Sequence, residues 1–192
     1  MAKTKRMRRT CVNKTAKSVY TNDDYNSNDG MLTTVWGPSL WHTLHTISFN
    51  YPVEPTHRDK QNYRNFVLNL KYVIPCGKCR KNLHKNFKKL PLKMKYMDSR
   101  DSFSRYIYRF HELINTMLNK TSGLTYEAVQ ERYEHFRSRC TIELKPTVEK
   151  GCVKPLYGEK SKCVLKIVPQ HEQCESFEID DKCIKRDLST VF

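Results

Sequence analysis

Between Met31 and Cys140 apolar side chains recur at three- and four-residue intervals, in five runs separated by proline, glycine or a capping residue. That interval is the period of an α-helix, whose turns bring i, i+3, i+4 and i+7 onto one face. The first run starts near Pro38, a residue suited to a first helical turn, and stops at Pro52. Trp41, Leu44, His45 and Ser48 share its face. The second opens at Thr56, which with Asp59 predicts a capping box, and aligns Tyr63, Phe66, Val67 and Leu70. The third starts at Pro75, strings Cys76, Cys79, Leu83 and Phe87 into a stripe, and ends before Pro91. The fourth, capped by Asp98 or Ser99, aligns Phe103, Ile107, Phe110, Ile114 and Leu118. The fifth follows Thr125 and carries Tyr126, Val129, Tyr133, Phe136 and Cys140 in near-heptad register. Short connections between such helices favour antiparallel packing. The expected fold is mainly α: a four-helix bundle plus a short fifth helix over residues 31–140.

The flanks differ. Residues 1–30 are polar and basic with no periodic apolar face, the pattern of a disordered arm. Residues 141–192 switch to short β-prone runs, such as KCVLKIV and CESFEI, with a cysteine about every tenth position. Cys152, Cys163, Cys174 and Cys183 lack the close-spaced knuckle of a zinc site, so no metal is expected. Two disulfides among them are expected instead, stapling a small Cys-rich extension that could not bury a core unaided. Four cysteines allow three pairings, and spacing does not choose among them.

A net charge of +15 predicts attraction to polyanions. Lysine and arginine occur in every segment, however, and no nucleic-acid motif accompanies them, so the charge reads as a solvated surface and nucleic acid is not required. No apolar run approaches the roughly 20 residues of a membrane span, and the basic N-terminus lacks the apolar core of a signal peptide. Eight cysteines in a reducing compartment point to metal or redox chemistry.

The pair Cys76–Gly77–Lys78–Cys79 carries that chemistry. At a helix N-terminus, free N–H groups and the helix dipole favour the thiolate, and Lys78, Arg80 and Lys81 add positive charge. Zinc would need a second knuckle, and no other Cys-x-x-Cys exists. A thioredoxin-like motif would follow a strand, whereas helices flank this pair. A structural disulfide closing so short a loop gains little. Redox exchange fits best. An exchanging pair that also makes disulfides needs an electron sink, and Trp36, Trp41, His45, His111, Asn115, Tyr126 and Tyr133 offer flat faces, donors and acceptors for a heterocycle. Those faces also carry core residues, and a bundle core needs aromatics in any case.

Taken in order, WGPSLWHTLH, IPCGKC, HELINTMLNK and YEAVQERYE resemble the Erv/ALR family of FAD-linked sulfhydryl oxidases, especially the compact versions of large DNA viruses. The resemblance spans about Met31 to Cys140. It implies a helical bundle holding FAD, with Trp41 and His45 against the flavin and Cys79 as the flavin-proximal cysteine. Cys76 would be the outer, exchanging one. It further implies FAD contacts from His111 and Asn115, nucleotide contacts from Asn119 and Lys120, and aromatic positions at Tyr126 and Tyr133. Two departures stand out: Glu112 follows the histidine where the family usually has Asn, and Tyr108 replaces a cysteine that many members bridge to the last helix.

The implied cycle oxidises protein thiols, or a dithiol carrier, at Cys76–Cys79 and passes electrons through FAD to oxygen, giving hydrogen peroxide. It also implies a homodimer, no membrane association, and action in the host cytoplasm at viral assembly sites or in the virion. The alternative from another class is a basic virion or nucleic-acid-associated structural protein with a non-catalytic disulfide.

Overall fold

The computed structural model describes residues 20–139, 153–164, 167–169, 171–172 and 179–183. Cys11, Cys140, Cys152 and Cys174, most of the basic arm and much of the two β-prone tail runs lie outside them. Six α-helices appear in order: α1 (Asn22–Tyr25), α2 (Thr33–Phe49), α3 (His57–Val73), α4 (Gly77–Lys89), α5 (Arg100–Met117) and α6 (Tyr126–Glu134). A 3-10 turn, Met94–Met97, leads into α5. Two-residue strands β1 (Ser138–Arg139) and β2 (Lys154–Pro155) pair antiparallel. Among the described residues no helix is long and apolar enough to cross a membrane.

Local chemistry sets most boundaries. Thr56 and Asp59 form the expected capping box on α3, with the Asp59 N–H donating to Thr56 Oγ1 and the Thr56 N–H to Asp59 Oδ2. Ser99, not Asp98, caps α5 in a box with Ser102. Thr125 caps α6. Helix α5 ends in a Schellman motif: Asn119 takes the left-handed conformation (φ 53°), its N–H donates to the Thr116 carbonyl, and the Lys120 N–H donates to the Asn115 carbonyl.

Three expectations need correction. Helix α2 starts at Thr33, five residues before Pro38, which sits inside the helix. Proline deprives the Thr34 carbonyl of its ladder donor, but Thr34 is exposed, so water can replace it. Cys76 is the N-cap of α4 and not part of its first turn. Helix α6 stops at Glu134, because the chain leaves it to pair Ser138–Arg139 with Lys154–Pro155. In the tail, Cys163 and Cys183 are not joined to each other, and Cys152 and Cys174, the other two cysteines of the expected disulfides, lie outside the described residues. The described tail residues form no hairpin of their own that would face two cysteines across a ladder.

The core lies among α2, α3, α4 and α5, around Tyr51, Val67, Met97, Phe103, Tyr106, Ile107 and Phe110. Burying such side chains contributes about 1.5–3 kcal/mol each before entropy is counted. The expected stripes reach this core only partly: Phe66 is 43% exposed and Leu118 is 51% exposed. A second cluster, Phe49, Tyr126 and Val129, seats α6 on α2. Arg137 closes that contact by donating to the Phe49 carbonyl (2.6 Å) at the C-terminus of α2, while pairing with Glu134. At the position of the missing family cysteine, the Tyr108 hydroxyl donates to the Leu124 carbonyl (2.7 Å) and its ring meets Tyr126 edge-on. A hydrogen bond and an aromatic contact thus tie α5 to α6 there.

Phe103 and Leu118, at opposite ends of one periodic stripe, should therefore behave differently. Phe103→Ala is expected to destabilise by about 3–5 kcal/mol, and Leu118→Ala by no more than about 0.5 kcal/mol. Urea denaturation midpoints of the two variants measure both.

Candidate functional site

The Cys76–Cys79 disulfide is closed, with the two Cα atoms 5.1 Å apart. Its turn is held from several sides. The Cys76 N–H donates to the Ile74 carbonyl (2.8 Å), Arg80 Nη1 donates to the same carbonyl (2.7 Å), and the Cys79 N–H points at Cys76 Sγ (3.2 Å). The start of α2 is fastened to this turn: the Met31 N–H donates to the Pro75 carbonyl (2.8 Å), and Trp36 Nε1 donates to the Met31 carbonyl (3.0 Å). Gly30 is required there by close approach, since a Cβ would sit 3.0 Å from the Pro75 carbonyl oxygen. Thr33 Oγ1 lies 3.5 Å from Cys79 Sγ, and Cys79 packs against the main core.

Farther along α2, Trp41, His45 and Phe49 recur at four-residue spacing on one face, with His42 beside them. Thr33 and Trp41 are about 12 Å apart along the axis, given a rise of about 1.5 Å per residue. Across from this face stand His111 of α5 and Tyr133 of α6. The Trp41 and His111 rings stack at 3.9 Å with 7° between planes. His45 Nε2 and His111 Nδ1 share a hydrogen bond of 3.0 Å, and His42 Nδ1 meets the Tyr133 hydroxyl at 3.2 Å. The Tyr133 ring also stacks on Phe49 and His45.

These imidazoles are neutral near pH 7. Burial pushes the His45 pKa down to about 3, with repulsion from His111 and His42 adding to it. Burial lowers His111 to about 4, partly offset by Glu112, and lowers His42 as well. A neutral imidazole has one donor and one acceptor nitrogen. The His45–His111 bond uses one nitrogen of each ring, which leaves His45 Nδ1 buried and unpaired among the described residues. Leaving such a group unmet costs roughly 1–3 kcal/mol. Its chemistry, beside a flat indole and imidazole pair, suits a polar aromatic heterocycle.

The other expected residues distribute unevenly. Asn115 is half-buried one turn beyond His111, its amide donating to Glu112 Oε1 (3.0 Å), so the departure at 112 positions the amide of 115. Asn119 and Lys120 are exposed in the α5 cap, and Asn119 also has the conformational role of ending that helix. Tyr126 does not join the cluster. It is 5% exposed, and its hydroxyl shares a 2.7 Å hydrogen bond with Ser104 Oγ, which makes it a core residue. Sequence reasoning missed Thr33, Gly30 and His42. Only His42 left a local signal, one turn before His45; the other two depend on a contact across more than 40 residues.

The sequence model described as the Erv1 / Alr family matches residues 38–134. "Probable FAD-linked sulfhydryl oxidase R368" of Acanthamoeba polyphaga mimivirus is 34% identical over 99 residues, which cover 52% of this chain and 68% of that protein. The FAD-linked sulfhydryl oxidase of African swine fever virus (isolate Tick/Malawi/Lil 20-1/1983) is 29% identical over 85 residues, covering 44% and 69%. Among solved structures, the crystal structure of the yeast Erv1 core aligns with a TM-score of 0.50 at 21% identity, over 64% of this chain and 96% of that one. That last likeness concerns the fold.

The lowered histidines predict a pH dependence. A histidine whose folded pKa lies below its unfolded value of about 6.5 takes up protons on unfolding, so stability is full above pH 6.5 and falls as the pH drops toward 4. Each group is expected to remove up to about 1.4 kcal/mol per pH unit in that window. Urea midpoints at pH 7, 6 and 5 should decline for the native protein, and the decline should be shallower in His111→Asn.

Proposed function

Because the chain belongs to the Erv1/Alr family, we propose that it is an FAD-linked sulfhydryl oxidase whose Cys76–Cys79 disulfide accepts electrons from protein thiols. The observation that carries the reading is the closed disulfide at the N-terminus of α4, fastened to the helix that bears Trp41 and His45.

The chemistry follows from sulfur positions. A substrate thiolate attacks Cys76 Sγ, the Cys76–Cys79 bond breaks as a mixed disulfide forms, and Cys79 leaves as a thiolate. A second substrate thiol attacks the mixed disulfide, releases the oxidised product and leaves Cys76 reduced. The substrate has lost two electrons and two protons, and the chain's dithiol has gained them. Cys79 is assigned the inner role because it packs on the core and has the Thr33 hydroxyl beside it, where an O–H can donate to the departing thiolate. Backbone N–H groups at the start of α4 add to that stabilisation.

When bound, FAD supplies the two-electron acceptor that restores the disulfide and passes the electrons to oxygen, giving hydrogen peroxide. Trp41 and His111 provide a stacking surface, His45 Nδ1 the unmet polar contact, and Tyr133 and Asn115 the flanking groups. Asn119 and Lys120 follow the end of α5 in its C-terminal cap, beyond His111 and Asn115, and are assigned to the nucleotide end of an extended cofactor. Tyr126 supports the site through packing alone. The same reading includes a homodimer, protein thiols as substrates and action in the host cytoplasm; the names of the viral relatives support the thiol substrates alone.

Purified full-length protein should be yellow and consume oxygen with dithiothreitol. Cys76→Ser and Cys79→Ser should each lower that turnover at least about 100-fold. Given an oxidised dithiol peptide, Cys79→Ser should form a mixed disulfide, its free Cys76 thiolate attacking the peptide disulfide and releasing one peptide thiol, and Cys76→Ser should do so far less because Cys79 is the inner cysteine. Trp41→Ala and His111→Ala should lose flavin on gel filtration while keeping helical circular dichroism. A colourless native protein would overturn the reading in favour of a structural role.

A further inference from the structure

A groove of about 350 Å³ lies where α3, α4 and the connection after α4 meet. It is lined by Arg64, Lys71, His84, Lys88 and Lys93, and among the described residues no carboxylate lines it. Leu68, Phe87 and Leu92 contribute apolar surface to the same groove. None of the groove's lysines and arginines belongs to an ion pair among the described residues; those pairs are Lys60–Asp98, Arg105–Asp101, Arg105–Glu127 and Arg137–Glu134.

The reason is written in the chain. From Lys60 to Met97 there are eleven lysines and arginines and not one aspartate or glutamate. The acids that bound this span are engaged, Asp59 in its capping box and Asp98 with Lys60. Uncompensated like charge on one face raises a local positive potential, which steers and holds anionic partners. The redox pair lies inside the same span, five residues after Lys71 and five before His84.

We propose that this groove docks the acidic flank of the thiol substrate, so that the enzyme selects protein thiols carried by acidic, partly apolar segments. The proposal rests on the sulfhydryl-oxidase reading and adds its substrate class. Lys88 stands about 14 Å along α4 from Cys79, a span of roughly four residues of extended peptide. A substrate whose cysteine attacks Cys76 therefore places carboxylates about four residues away against Lys71, Lys88 and Lys93. The apolar floor accepts a hydrophobic side chain between them. A nucleic-acid backbone has no such side chain to offer, and this favours the peptide.

The test uses flavin-loaded, full-length protein and two dithiol peptides that differ only in carrying Glu or Lys around the fourth residue from the reactive cysteine. Dithiothreitol is the uncharged control. The acidic peptide should exceed the basic one about tenfold in kcat/KM at low ionic strength, and the ratio should shrink in 0.5 M salt, where the Debye length is only a few ångström. Lys88→Glu/Lys93→Glu should lower kcat/KM for the acidic peptide about tenfold, raise it for the basic one, and leave dithiothreitol turnover unchanged. A fluorescent acidic peptide with Ser in place of Cys should lose affinity for the same variant, which reads docking without redox chemistry. Equal kcat/KM for both peptides, unmoved by the double variant, overturns the proposal. So does single-stranded DNA binding that the variant weakens while the peptides stay indistinguishable, which would assign the groove to nucleic acid. Failure of the native protein to oxidise dithiothreitol at all sinks the oxidase reading instead, and the serine peptide still reports on docking.

Discussion

The hydrogen bond from the Met31 N–H to the Pro75 carbonyl joins two parts of the chain on which everything else depends. It sets the first turn of α2 on the turn that holds the Cys76–Cys79 disulfide, with Gly30 thin enough to allow the approach. A rigid helix then carries position along its length: Thr33 beside Cys79, Trp41 and His45 two and three turns on, and Phe49 at the end. The other end of α2 is closed by Arg137, donating to the Phe49 carbonyl. Held at both ends, α2 fixes the distance between the sulfur chemistry and the aromatic cluster. Effects of misplacement by even one ångström are large in such arrangements.

The aromatic cluster is specific because it is uncharged. Three histidines crowd between α2, α5 and α6, and desolvation keeps them neutral. Neutral imidazoles can stack on Trp41 and exchange a hydrogen bond between themselves, which two imidazolium ions could not do. The unmet His45 Nδ1 is the residual expense of this arrangement and also its opening for a ligand. The surface opposes this interior. From residue 60 to 97 the chain concentrates positive charge and carries no aspartate or glutamate, although Asp29 is brought close to Cys76 by its neighbour Gly30.

Where boundary signals are local, the sequence was sufficient. Thr56 with Asp59 and Thr125 announce their helices because a capping side chain reaches only two or three residues ahead. Where a boundary depends on a distant partner, it was not. Pro38 suggested a helix start, yet the real start is set by the Pro75 carbonyl. Cys140 looked like the last rung of α6, yet β1 leaves to pair with β2. Charge is a related case: counting lysines along the chain shows them spread, while only the packing of α3 on α4 brings Arg64, Lys71, Lys88 and Lys93 to one groove.

Sequence alone therefore determined the helical class, most helix positions, the close-spaced pair Cys76 and Cys79, and the histidines and tryptophan of the neighbouring helices. These follow from periodicity, local capping and the reactivity of two cysteines three residues apart, none of which needs a distant neighbour. Only the tertiary structure decided that Tyr126 belongs to the core while Tyr133 joins the cluster, although both lie on the same short helix and look equivalent in one dimension. It alone placed Thr33 against Cys79 and left His45 Nδ1 unpaired. Those outcomes depend on which face of one helix meets another, and that is settled by packing complementarity over the whole bundle rather than by any local run of residues.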